Sequence, residues 1–217
     1  NTNSGTFQYS SSATQTLSGI ISGAGALVKD TSSSTLTLTN VNTYTGNTTI
    51  SAGSLTIGGS GSLNSGSYAG NIINNGTFKY SSSAAQTLSG IISGTGAVTK
   101  DTSSSSTLTL SNALNSYSGL TTITSGVVSV TSDANLGTNA GLTFGGGTLT
   151  ITGSAAFSSS RNITMNGVAT IINNDSSGAT FSGSFTNGSY LLTISGTGDT
   201  TISGIIGSGS GGLTKSG

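Results

Sequence analysis

The chain has 217 residues, of which Gly, Ser, Thr and Asn make up 135, against five basic and five acidic residues and a net charge of zero. His, Cys, Pro, Trp and Glu are absent, which excludes imidazole and thiolate metal sites, cysteine nucleophiles, histidine bases and disulfides. Charges scattered singly leave no electrostatic footprint for nucleic acid or an anionic membrane, and no apolar run approaches the roughly 18–20 residues of a membrane span. With Asn1 first and no leader behind it, the chain reads as a mature piece or an excerpt.

Taken in chain order, the first informative element is a repeat. Asn3 to Asp30 returns as Asn74 to Asp101, with 22 of 28 positions identical. Thr35 to Thr39 matches Thr107 to Ser111, and Tyr44-Thr45-Gly46 matches Tyr117-Ser118-Gly119. A degraded third copy, Ser203 to Lys215, echoes Ser18 to Lys29. Units 3–73, 74–146 and a divergent 147–217 therefore divide a single domain, 1–217.

Inside the units a finer period appears. Gly followed at the second and fourth places by an apolar residue or Lys starts at Gly5, Gly25, Gly53, Gly76, Gly96, Gly126, Gly147, Gly167, Gly188 and Gly211. The intervals run from 20 to 30 and average about 23. Each start opens an alternating segment such as Gly53-Ser-Leu-Thr-Ile57, the mark of a half-buried strand, while no helix signal occurs.

Short strands at that spacing cannot bury a core alone and must stack. The expected fold is all-β: one β-solenoid, a right-handed parallel β-helix of about ten turns of roughly 23 residues, with two or three sheets along its axis. The inward set is Phe7, Leu36, Leu38, Ile50, Leu55, Ile57, Phe78, Leu108, Leu110, Ile123, Leu149, Ile151, Ile163, Ile171, Phe181 and Leu192. Like charges stacked every ~4.8 Å would repel, so neutral Thr, Ser and Asn cover the rod.

Candidate sites are few. The only carboxylates are Asp30, Asp101, Asp133, Asp175 and Asp199, unpaired in sequence, whereas glycosidase chemistry needs two acids together. Asp30 and Asp101 follow Lys29 and Lys100, which predicts local charge pairs or turn caps. Thr197-Gly-Asp199 is a faint echo of a calcium-binding roll without its tandem repeats, and Gly207 to Gly212 lacks the Lys of a phosphate loop. Catalytic, cofactor and metal residues are therefore set at none.

Tyr44, Tyr68, Tyr117 and Tyr190 suggest sugar-stacking platforms, but the Gly beside Tyr44 and Tyr117 favours rings packed over corners. Thr35-Leu-Thr37 and Thr148-Leu-Thr150 have the pattern of ice-binding arrays, which turns of such uneven length are expected to misalign. The intervals Gly25 to Gly53 and Gly96 to Gly126 are expected to bulge outward. Five Asn-x-Ser/Thr sequons, at Asn47, Asn75, Asn162, Asn174 and Asn187, are no more than chance provides in so hydroxyl-rich a chain.

The string Leu36-Thr-Leu-Thr-Asn-Val-Asn-Thr-Tyr-Thr-Gly46, followed by Thr48-Thr-Ile-Ser-Ala-Gly-Ser-Leu-Thr-Ile57, closely resembles the autotransporter-associated beta-strand repeat, whose pattern runs approximately LTLSGxNTYTGxTTIxxGTLTI. Leu108 to Val130 matches more loosely. Asp133 to Gly137, Gly145 to Leu149, Ser160 to Thr164 and Gly211 to Gly217 look like segments that join such units. The resemblance implies a secreted passenger β-helix of a bacterial cell-surface adhesin-like protein, here a non-enzymatic stalk, spacer or adhesive element. The alternatives are a subunit of a head-to-tail self-assembling filament or matrix fibre, and a carbohydrate- or ice-binding module. Expected partners are further copies of the chain or surface glycans, with no nucleic acid, no cofactor and no membrane segment.

Overall fold

A computed structural model describes residues 2–31, 33–102, 106–139, 141–207 and 209–217; Ser208, within the Gly207 to Gly212 run, lies outside this set. Among the described residues every strand pairing is parallel, and the strands form three sides of a coil. The expected all-β solenoid is what the chain builds. The only helical elements among the described residues are two short 3-10 turns, Asn64–Gly66 and Asp133–Leu136, and no helix is long and apolar enough to cross a membrane.

The first face holds Thr6–Tyr9, Ala26–Lys29, Thr48–Ile50, Ile72–Asn74 and Ile92–Ser93, and resumes further along with Phe157–Ser159, Ala179–Phe181 and Thr200–Ile202. Between the two runs the stack continues through backbone bonds, Ser116 N–H to the Ile92 carbonyl (2.8 Å) and Thr138 N–H to the Tyr117 carbonyl (2.9 Å). The second face is an unbroken nine-stranded sheet from Gln15–Leu17 to Phe185–Thr186. The third begins with Ser22–Gly23 and Thr43–Tyr44 and continues as eight strands, from Ser67–Tyr68 to Leu213–Lys215. Ten rungs at ~4.8 Å make a rod about 45 Å long.

Alternation decides which residues face inward. Strands such as Thr35–Leu38 and Ser54–Ile57 place every second side chain in the core, and register stacks these vertically. Leu36, Leu55, Phe78 and Val98 form one column of the second face, and Leu38, Ile57, Tyr80 and Lys100 form the next. Fifteen of the sixteen expected inward residues are buried, and Phe7, on the first rung, is half-buried against the core. Lys29 and Lys100 occupy inward slots because a four-carbon stem packs like an aliphatic side chain while its ammonium reaches a corner carbonyl.

Circuit length is more even than the glycine spacing suggests. Paired residues lie between 19 apart (Thr35 with Ser54) and 24 apart (Thr48 with Ile72). The intervals of 28 and 30 are therefore not bulges. Ala26–Lys29 lies on the first face and Ser54–Ile57 on the second, while Ala97–Lys100 lies on the second and Val127–Val130 on the third. At those two points the glycine-led segment moves to the next face, and the circuit keeps its ordinary length.

The long repeat behaves the same way, because the step from Thr6 to its copy Thr77 carries the chain three circuits and about a third of a fourth. Thr6–Tyr9 on the first face recurs as Thr77–Tyr80 on the second. The three copies of the Lys-ended strand, Ala26–Lys29, Ala97–Lys100 and Leu213–Lys215, occupy the first, second and third faces in turn. Local contacts survive this rotation. Asn3 donates to the Ala26 carbonyl (2.9 Å) and accepts from Gly5 N–H (3.2 Å), as its copy Asn74 does with Ala97 (2.8 Å) and Gly76 (3.2 Å).

The period-marking glycines serve close approach more than unusual dihedrals. Only Gly53, Gly126 and Gly188 of the ten have positive φ. Gly76 and Gly96 instead stack so tightly that a Cβ on Gly96 would lie 2.2 Å from the Gly76 carbonyl oxygen. Gly96→Ala is expected to destabilise the protein by about 3 kcal/mol, the upper end of overpacking costs. Gly5→Ala, where nothing lies within 4 Å, is expected to stay within about 0.5 kcal/mol of the parent. Denaturant midpoints of the two variants check both.

Candidate functional site

The residues most specific to the repeat are those around its tyrosines. Asn42 is buried; its Oδ1 accepts from Ile21 N–H of the rung below (3.0 Å) and its Nδ2 donates to the Asn40 carbonyl (2.8 Å). Two residues on, Tyr44 turns into the core and its hydroxyl meets Thr48 Oγ1 at 2.8 Å. Between them Gly46 approaches the rung below so closely that a Cβ would lie 2.4 Å from the Gly25 carbonyl oxygen. The second copy repeats the set on another face. Asn115 accepts from Ile92 N–H (2.8 Å), Tyr117 meets Thr121 Oγ1 (2.7 Å), and Gly119 would place a Cβ 2.2 Å from the Gly96 backbone.

Tyr44, Tyr68 and Tyr117 are thus wholly interior, and only Tyr190 of the four candidates reaches the surface. The Tyr44 and Tyr68 rings meet edge to face at 5.6 Å, an arrangement suited to their quadrupoles, and Tyr68 donates to the Gly46 carbonyl while sharing Thr48. Burial pushes the Tyr68 and Tyr117 hydroxyls up to about 12 and Tyr44 well above its ordinary value, partly offset by their threonine partners. Rings held this way cannot stack on a sugar.

The charged residues are tied into the scaffold. Lys29 and Lys100 are fully buried, and burial lowers both ammonium pKa values against the raising effect of the neighbouring aspartates. Lys100 Nζ donates to the Thr102 carbonyl at 2.6 Å and lies 5.7 Å from the centre of the Tyr80 ring. Lys29 is placed likewise against Thr31 and Tyr9. The local pairs expected from Lys-Asp adjacency are replaced by vertical contacts, because adjacent strand residues point to opposite sides. Asp101 pairs with Lys79 on the rung below, and Asp30 bonds Gln8, which is Lys79's counterpart, as well as Thr31 Oγ1 (2.8 Å). The Thr31 bond is the largest cause of a lowered Asp30 pKa.

Arg161 and Asp133 make a contact that sequence inspection misses. The guanidinium is 6% exposed and binds the Asp133 carboxylate through Nε to Oδ1 (2.7 Å) and NH2 to Oδ2 (3.1 Å). It also donates to the carbonyls of Gly137 (2.7 Å) and Asn139. One side chain thus fastens the 3-10 turn Asp133–Leu136 and its exit to the rungs above. The partners are far apart along the chain, so only their shared place in the two joining segments hinted at a link.

Among the described residues Asp175 is the one fully buried carboxylate. Its Oδ1 accepts from Ser177 N–H (2.8 Å), and its Oδ2 has no partner and lies against Gly153. Asp199 sits one rung on, where its carbonyl accepts from Asn173 Nδ2 (2.7 Å) and Ala179 N–H (2.8 Å). Among the described residues no cluster of three potential metal-binding side chains occurs. Hollows lie at the two ends of the rod, against Phe7, Leu17 and Ile21 at one end and Ile202, Ile206 and Leu213 at the other.

These observations define the class: a three-sided parallel β-solenoid whose polar and aromatic residues hold one circuit to the next. The family model for the passenger-associated transport repeat matches residues 31–57 and 103–130. Both matches agree with the resemblance to autotransporter passenger repeats. No curated protein and no solved structure matches the chain. Each match spans one circuit that closes on itself: Thr35–Leu38 pairs with Ser54–Ile57 on the second face, and Thr107–Leu110 with Val127–Val130 on the third.

Proposed function

We propose that the chain is a non-enzymatic part of the passenger of a secreted, autotransporter-like bacterial surface protein, where it serves as a stiff stalk or spacer. The observation that carries this reading is the use made of the repeat motif. Its Asn and Gly residues meet the rung below, its Tyr and Thr clamp the corner within a rung while Thr48 also reaches Tyr68 of the next, and circuits of such even length project no long loop among the described residues. Such a stack resists bending because each rung is hydrogen-bonded to its neighbours along three faces.

The test is mechanical and chemical together. With the chain displayed in its parent surface protein, doubling this ten-rung segment is expected to raise an amino-terminal tag by about 45 Å with display intact. Saturable binding of a soluble glycan, or cleavage of a polysaccharide by the intact chain, would overturn the spacer reading.

A further inference from the structure

Circuits of even length keep outward side chains in register as well as inward ones. On the third face one outward column runs Thr107, Val127, Thr148, Thr170, Thr193 and Thr214. Beside it a second runs Thr87, Thr109, Ser129, Thr150, Ile172 and Ser195. The misalignment expected of the Thr pairs does not occur, since the long glycine intervals are changes of face rather than added residues.

Three properties of this double column point to one kind of surface. Its hydroxyls form a two-dimensional grid, ~4.8 Å along the rod and about 6.6–6.8 Å across it, fixed by rung spacing and strand rise. Neither column contains a charge or an aromatic ring. None of the ten hydroxyls is engaged within the protein among the described residues, whereas corner hydroxyls such as Thr39 and Thr138 turn back to carbonyls of the rung below. The grid therefore presents methyl groups and free hydroxyls to water on a rigid sheet.

We infer that the third face binds ice. The two spacings are close to the oxygen repeats on exposed planes of hexagonal ice, so water ordered over the grid joins the lattice at many points at once. The second face is poorer, because it has one long hydroxyl column where the third has two: Thr16, Thr37, Thr56, Thr99, Thr122, Thr143, Thr164 and Thr186 are broken by Lys79, and the column beside them passes from Thr35, Ser54 and Thr77 to Ala97, and later holds Gly141 and Asn162. Crystalline polysaccharide is the lesser fit, because recognition of sugar rings relies on exposed aromatic faces. The inference is independent of the spacer role.

The experiment grows ice slowly from a dilute solution of the intact chain and measures the protein in ice and in liquid. The wild type is expected to enter ice at least tenfold more than a non-binding protein of equal size. Thr148→Tyr with Thr170→Tyr is expected to reduce entry to the control value with the far-ultraviolet spectrum unchanged; Thr170→Lys alone gives the same reading should the double variant not fold. Thr122→Tyr with Thr143→Tyr, on the second face, is expected to retain it. Wild-type protein excluded from ice, loss with the second-face variant but not the third-face variants, or adsorption to crystalline chitin in place of ice would overturn the inference.

Discussion

Arg161→Ala is expected to destabilise the protein by about 3 kcal/mol, the lower end of the cost of breaking a buried ion pair, because the carboxylate left behind is partly exposed. The loss would be read as a lower denaturant midpoint. The guanidinium holds the Asp133 carboxylate and the carbonyls of Asp133, Gly137 and Asn139, and alanine leaves all four without it. Arg161→Lys retains the charge but has no fork to span Asp133 and Gly137 together, so it is expected to recover less than half of the loss. Asp133→Asn is expected to be milder, because Asp133 is 28% exposed and the carbonyl contacts remain. Equal stability of Arg161→Ala and the parent would show that the turn is held by its neighbours alone.

The second large effect is alkaline. Tyr68 and Tyr117 are pushed up to about 12 from the ordinary value of 10, and Tyr44 is raised well above it in the same direction. A group whose pKa is higher folded than unfolded contributes stability that is complete below the unfolded value and lost as pH rises through the folded one. Stability is therefore expected to fall from pH 10, by about 2 kcal/mol each for Tyr68 and Tyr117 at pH 12. Lys29 and Lys100 act oppositely, since their lowered values favour the folded state as pH rises toward 10.5. A maximum near pH 10 with a steep decline beyond it is the expected profile. In a Tyr9→Phe, Tyr190→Phe background, tyrosinate absorbance and circular dichroism should change together for the four interior tyrosines, Tyr44, Tyr68, Tyr80 and Tyr117, and tyrosinate formation in a chain that remains folded would contradict their placement.

What could be read in advance was whatever depends on period. Alternation in Leu36-Thr-Leu38 or Leu55-Thr-Ile57 assigns inward residues without knowledge of the face, so the core list follows directly. The face itself is not written locally, because Gly25-Ala-Leu-Val-Lys29 and Gly53-Ser-Leu-Thr-Ile57 present the same pattern on different sides of the rod. The long interval between them thus resembled extra residues when it was extra rotation. Corner chemistry was half legible: the Gly beside Tyr44 signalled packing, but the bond from Asn42 to Ile21 needed the rung below to be in place. The pairs Arg161–Asp133 and Lys79–Asp101 link different rungs, and vertical neighbours emerge only after the circuit length is known to the residue.

The advance of about a third of a circuit from one repeat copy to the next has a consequence for how many such rods coexist on one surface. Two nearly identical copies within one chain never expose the same strip along one side, since the strip that faces a neighbour in one copy faces elsewhere in the next. Lateral zippering between parallel rods depends on long runs of matching side chains in register. The rotation keeps copied strands from lining up with one another along one side, so duplication lengthens the rod without repeating a copied strip.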